Sequence, residues 1–165
     1  MTNQTPVQIA WVTRDLDATE AALTTLLGGA RKWIRMPDVH FGPDSCQHRG
    51  APADYTADIS LSYAGDTQLE LIAPTRGESI YTEFLADSGP GLHHICVEVP
   101  DADAFEAALT GAGPTAEVVA RGVMPGGMQF AYLSAAAAGG VPYLEIAYIP
   151  DDIRTFFDYV KQEQQ

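Results

Sequence analysis

Two stretches of this chain can be written one above the other: Gln8-Ile-Ala-Trp-Val-Thr-Arg-Asp15-Leu-Asp-Ala18 and His94-Ile-Cys-Val-Glu-Val-Pro-Asp101-Ala-Asp-Ala104. Each opens as a short β-rich run, passes through an Asp-x-Asp-Ala turn and continues into a helical pattern. The acids sit where helix N-caps and first-turn carboxylates belong. The first helix is predicted over 17–27, with Ala18, Ala22, Leu23, Leu26 and Leu27 on its inward stripe and Gly28-Gly29 as its stop. The second is predicted over 103–110, with Phe105, Ala108 and Leu109 inward.

Three strand-like runs follow each helix, over 31–36, 57–64 and 68–73 in the first half and 115–120, 128–134 and 143–149 in the second. The last strands repeat as well, Leu69-Glu70-Leu71-Ile72 beside Leu144-Glu145-Ile146-Ala147. Each half is therefore βαβββ, and the fold class is α+β: modules 7–74 and 92–150 within one domain spanning 1–165, joined by a connector over 75–90. A module of about 65 residues cannot bury both faces of its sheet, whereas two copies side by side enclose a cleft. An amphipathic stretch over 151–161, with Ile153, Phe156, Phe157 and Val160 at helical spacing, predicts a C-terminal helix. The run 37–55 reads as a long irregular loop of the kind that forms lids, and 134–140 as a flexible turn.

Composition narrows the partners. The 165 residues are 46% hydrophobic and 19% charged, as in a globular domain. Acids outnumber Lys and Arg 22 to 9, a formal net charge of −13, and no basic run interrupts them. Such a field repels phosphate backbones, which argues against nucleic acid as a partner. No apolar run approaches the roughly 18 residues of a membrane helix. The first residues lack the basic-then-apolar pattern of a leader, so a cytoplasmic location and no membrane are expected. Cys46 and Cys96 match no metal-binding spacing and read as reduced, buried thiols.

The chemistry lies at matched strand positions. The repeat relates Gln8 to His94 and Glu70 to Glu145. Side chains alternate across a strand, so His94 shares a face with Cys96 and Glu98, while Ile95, Val97 and Val99 pack on the helix. By the same parity Glu70 and Glu145 turn away from their leucine and isoleucine neighbours. All four polar residues are expected to point into the cleft. A lone His or Glu on a strand is ordinarily structural or solvated. Four buried polar groups without partners would each cost about 1–3 kcal/mol, which favours a shared role. One imidazole, two carboxylates and an amide oxygen make a mixed donor set for a divalent metal ion such as Zn, Ni, Co, Mn or Mg.

On these residues the chain resembles the vicinal oxygen chelate superfamily, the glyoxalase I, bleomycin-resistance and methylmalonyl-CoA epimerase group. Gly91-Leu-His-His-Ile-Cys-Val-Glu-Val99, the preceding Phe84-Leu-Ala-Asp-Ser-Gly-Pro-Gly91 and Thr67-Gln-Leu-Glu-Leu-Ile-Ala-Pro74 look like segments of the epimerases. The resemblance runs from Val7 to Pro150 and implies a metal held by Gln8, Glu70, His94 and Glu145 in a cleft between paired modules, often in a homodimer. Gln8 departs from the epimerases, which usually carry His there, and a Gln-Glu-His-Glu set is similar to that of animal glyoxalase I. An extradiol dioxygenase, needing His-His-Glu, is disfavoured.

What the resemblance implies chemically is a metal-dependent isomerase or epimerase that abstracts a proton α to a carbonyl, with an acyl-CoA as small-molecule substrate. The alternatives are a glyoxalase-like lyase acting on a thiol adduct and a non-catalytic module that binds an antibiotic or another small molecule. Glu145 is expected to be ligand and base. Asp58 is the candidate second base, on the strand where the epimerases carry one and with Ser60 and Ser62 on the face expected to meet the cleft. His93, of opposite parity to His94, reads as structural, and His40 and His48 as surface residues of the long loop. The Gly-rich run 122–127 reads as a hairpin at the cleft mouth, near Met124, Met128 and Phe130.

Overall fold

The computed structural model describes residues 4–134 and 140–165. The first half comprises β1 (Pro6–Val12), α1 (Leu16–Leu27), β2 (Ile34–Phe41), the short β3 (Cys46–His48) and β4 (Ala51–Pro52), β5 (Tyr55–Ala64) and β6 (Thr67–Arg76). After α2 (Ile80–Ser88) come β7 (Gly91–Val99), α3 (Ala102–Gly111), β8 (Val118–Val123), β9 (Gln129–Ser134), β10 (Tyr143–Tyr148) and α4 (Asp151–Gln162). The fold is α+β. All strands join one sheet in the order β2-β5-β6-β1-β7-β10-β9-β8-β3-β4.

The aligned acids do equivalent work. Asp15 caps α1 by accepting from the Ala18 amide at 3.0 Å, and Asp101 caps α3 from Ala104 at 2.7 Å. Each cap is worth about 1 kcal/mol. The two strands that open the halves, β1 and β7, lie antiparallel side by side. Each is flanked by the last strand of its own half in parallel, β6 beside β1 and β10 beside β7.

The sheet curls until its ends nearly meet. Phe41 of β2 and Phe130 of β9 have ring centroids 5.8 Å apart. In a flat sheet their strands, six places apart in order, would be separated by nearly 30 Å at ~4.8 Å per strand. Only residues 42–45 join β2 at one edge to β3, which pairs with β8 at the other. The concave side is filled by the main core, including Tyr55, Leu61, Tyr81, Phe130 and Tyr132. Phe157 and Val160 of α4 belong to that same core, so the C-terminal helix lies over the concave side. Arg154 of α4 pairs with Glu98 of β7, and Lys161 with Asp66.

Several expectations need correction. The 37–55 run is not an irregular loop throughout: its first residues extend β2, and β3 and β4 carry the chain across to the second half. The 75–90 connector holds α2, closed at its start by a capping box between Ser79 and Thr82. The inward stripe of α1 is also displaced. Leu16 is buried against Leu71 and Ala73, with Leu23 beside them, while Leu26 and Leu27 are 79% and 45% exposed. The helix begins one residue earlier than predicted, and Trp33 after it docks on Leu16 and Leu23, turning the C-terminal leucines outward. The turn expected over 134–140 lies largely outside the described residues.

Gly77 closes the end of β6 at φ +80°, and a Cβ there would overlap the Asp54 carbonyl and approach the Tyr55 Cα to 3.1 Å. Gly77→Ala should destabilise the protein by about 2–4 kcal/mol, combining left-handed strain with backbone overlap. Urea denaturation checks this; an unchanged midpoint would mean that the turn relaxes at no cost.

Candidate metal centre

Four adjacent strands, β6, β1, β7 and β10, lie side by side in the middle of the sheet. Gln8 stands on β1, Glu70 on β6, His94 on β7 and Glu145 on β10, one from each strand. Their side chains converge. The His94 Nε2 lies 3.0 Å from Glu145 Oε2, 3.2 Å from Gln8 Oε1 and 3.5 Å from Glu70 Oε2. His94 is fully buried, Glu145 is 3% and Gln8 6% exposed, and the Glu70 side chain is 14% exposed.

Neighbouring strands hold this arrangement. The Gln8 amide donates to Gln68 Oε1 at 2.6 Å, and the Gln68 amide donates to the Tyr63 hydroxyl at 3.1 Å. With its amide nitrogen engaged, Gln8 turns its carbonyl oxygen to His94. Tyr132 places its ring 4.8 Å from that of His94 and bonds to the Tyr81 hydroxyl at 2.6 Å. Cys96 lies opposite both Gln8 and Glu145 in the strand registers, which sets its thiol beside the cluster.

The electrostatics follow from crowding. Burial, the largest effect, would lower the His94 pKa, but the Glu145 carboxylate and then Glu70 outweigh it and lift it to about 9. Burial raises the Glu70 pKa, and Glu145 adds to the rise while His94 opposes it. The Cys96 thiol is pushed well up by burial and by both carboxylates, so it is a neutral neighbour. Among the described residues the ion pairs of Glu70 and Glu145 are with His94 alone. Two carboxylates facing one imidazole leave the cluster short of positive charge.

These residues fit a divalent cation. Donor atoms about 2.1 Å from a common ion lie roughly 3–4 Å from one another. The donors of Glu70, His94 and Glu145 all fall within 4.8 Å, and Gln8 adds its oxygen from the fourth strand. The donor set is the nitrogen-and-oxygen mixture that zinc, nickel, cobalt, manganese or magnesium accepts.

Other sequence candidates lie elsewhere. Asp58 shares its face with Ser60 and Ser62 as expected, but that face looks the other way. In the β5–β6 register Leu61 lies opposite Glu70, whereas Asp58 lies opposite Ala73, which packs under α1. Its carboxylate accepts from the Asp38 amide at 2.9 Å, and Ser60 donates to Glu20 of α1. Parity was legible, but the choice of face depends on where the helix docks. His40 bonds Asp54 at 2.8 Å on the surface, and His48 stands 3.5 Å from Glu83. Met128 and Phe130 are buried in the core.

His93 departs furthest from expectation. Ala10 pairs with His94 and Trp11 with Leu92, so His93 is an extra residue in β7, a β-bulge. The bulge turns both histidines inward, their Nδ1 atoms 2.8 Å apart.

The family model of the Glyoxalase/Bleomycin resistance protein/Dioxygenase superfamily matches residues 7–132. The chain belongs to that superfamily. No curated protein matches this vicinal oxygen chelate chain in sequence. Solved structures share its fold: a hypothetical protein from Bacillus halodurans C-125 superposes with a TM-score of 0.61 at 19% identity, covering 91% of this chain and 97% of the other. Methylmalonyl-CoA epimerase from Mycobacterium tuberculosis gives 0.58 at 19% identity, covering 91% of each. A Streptomyces coelicolor methylmalonyl-CoA epimerase variant in complex with 2-nitronate-propionyl-CoA gives 0.53 at 22% identity, covering 88% of this chain and 98% of the other. Among the described residues, no helix of this superfamily member is long and apolar enough to cross a membrane.

Proposed function

We propose that this protein is a metal-dependent isomerase or epimerase that removes a proton α to a carbonyl, with acyl-CoA thioesters as its substrate class. The observation that carries the reading is the convergence of Gln8, Glu70 and Glu145 on His94 Nε2. Those four residues would hold the metal. When bound, the ion acts as a Lewis acid toward a carbonyl oxygen and so acidifies the adjacent carbon. Glu145 is the group that moves the proton, because its carboxylate is buried in the cluster 3.0 Å from His94 Nε2. The aromatic wall of Tyr81 and Tyr132 excludes water from that transfer. The acyl-CoA class is supported by epimerases of the same fold, one of them bound to 2-nitronate-propionyl-CoA. A single domain of modules 7–74 and 92–150, acting as a cytoplasmic homodimer, is part of the same reading.

Metal analysis followed by NMR in D2O with methylmalonyl-CoA tests it. The expected result is about one divalent ion per chain and metal-dependent exchange of the α proton, reduced at least 100-fold in Glu145→Gln. Exchange that persists in Glu145→Gln sinks the assignment of the base. The Gln8 amide favours a second reading, a glyoxalase-like lyase on a thiol adduct. Turnover of such adducts without acyl-CoA exchange would select it, and tight metal-free ligand binding with neither reaction would select a sequestering module.

A further inference from the structure

The bulge in β7 sets a second histidine behind the first, and its hydrogen bonding is lopsided. His93 is fully buried, its Nδ1 lies 2.8 Å from His94 Nδ1, and its Nε2 has no partner among the described residues. Aromatic rings enclose it: Phe84 at a centroid distance of 5.0 Å, Tyr143 at 4.8 Å and Tyr81 at 5.4 Å. Between two facing Nδ1 atoms there is room for one proton. His94 turns Nε2 toward three oxygens, and for that nitrogen to be a donor atom for a cation its proton must reside on Nδ1.

We propose that His93 is a positioning residue: its Nδ1 accepts the His94 Nδ1 proton, fixing the ring so that His94 Nε2 is presented to Gln8, Glu70 and Glu145. The inference deepens the proposed metal site and rests on that reading. It also accounts for the orphaned atom. With Nδ1 accepting, the proton of neutral His93 resides on Nε2, which has no hydrogen-bond partner among the described residues. An unpartnered buried N–H is unfavourable, and β-bulges are retained where they re-aim a side chain. Here the bulge re-aims His93 from the helix side, where simple alternation would put it, to the back of His94. Metal-binding histidines commonly donate their second ring N–H to a carboxylate or carbonyl; in this chain an adjacent imidazole takes that part.

Two substitutions separate positioning from packing. His93→Phe keeps a ring in the cage but removes the acceptor; His93→Asn loses the ring but can bring an amide oxygen near the Nδ1 position. Calorimetric titration of the full chain with Zn2+ is expected to show 10–100-fold weaker binding for His93→Phe and a loss of only a few fold for His93→Asn. A packing role predicts the opposite order, and that order would overturn the proposal. Long-range 1H–15N correlation spectra of metal-free wild type at neutral pH give an independent reading, which stands even where a variant fails to fold. His93 is expected as the Nε2–H tautomer with an unprotonated Nδ1; a protonated His93 Nδ1 contradicts it. If wild type takes up no Zn2+, the proposed function fails, while the tautomer of His93 still decides this inference.

Discussion

Replacing His94 with alanine is expected to abolish stoichiometric metal binding and to destabilise the metal-free protein by about 3–5 kcal/mol. For a chain of this size that is a fall of roughly 6–20 °C in melting temperature. His94 faces Glu145 and Glu70 through the same Nε2 atom, at 3.0 and 3.5 Å, and is their ion-pair partner among the described residues. Removing it leaves two carboxylates together in a buried site, one of which must take up a proton. It also opens a cavity beside Tyr132, whose ring rests 4.8 Å from that of His94. Adding Glu70→Gln should recover part of the lost stability, since one buried charge disappears with it. Equal metal stoichiometry in wild type and His94→Ala would refute the four-residue centre. Equal melting temperatures in the presence of EDTA would refute the electrostatic account.

The second large effect is a dependence of metal-free stability on pH that metal reverses. His94 is held at about 9 in the folded protein, above its ordinary 6.5. The charged imidazole therefore contributes stability that is complete below pH 6.5 and is lost as pH rises through 9. The size of that contribution is roughly 3 kcal/mol. Glu70 acts in the same direction, because a carboxyl whose pKa is raised by folding also favours the folded state at low pH. Metal behaves oppositely. It must displace the proton from His94 Nε2, so its affinity should rise about tenfold per pH unit until the site has titrated. Melting curves at pH 6, 7, 8 and 9, with EDTA and with excess Zn2+, check both limbs. The metal-free curve should fall with pH and the gap between the two should widen. A gap that narrows with rising pH would mean that the ion does not bind at this nitrogen.

Much of the fold was legible because repeated local patterns have local causes. The Asp-x-Asp-Ala turns cap α1 and α3 through contacts three residues apart, and strand alternation requires only the pleat. The four converging residues were legible for the same reason: the repeat pairs Gln8 with His94 and Glu70 with Glu145, and one polar residue among apolar neighbours marks a change of face. The failures share a different cause. Asp58 was given the right companions and the wrong face, because the helix that covers one side of β5 is distant in sequence. The α1 stripe slid because Trp33, which docks on it, follows the helix in the chain. The face of His93 was not legible because a bulge appears only when β7 is laid against β1; Leu92-His93-His94 is otherwise indistinguishable from regular alternation.

The sequence by itself determined an α+β chain with a repeated strand–turn–helix pattern bearing an imidazole, an amide and two carboxylates at matched positions, since turns, caps and alternation act over a few residues. Tertiary structure alone decided that four strands bring those groups within 3.0–3.5 Å of one nitrogen, that α4 lies over the concave side of the sheet, and that His93 stands behind His94. The physical reason is the curl of the sheet. Register and curvature are set by the packing of all strands and helices at once, and no stretch of chain carries them alone.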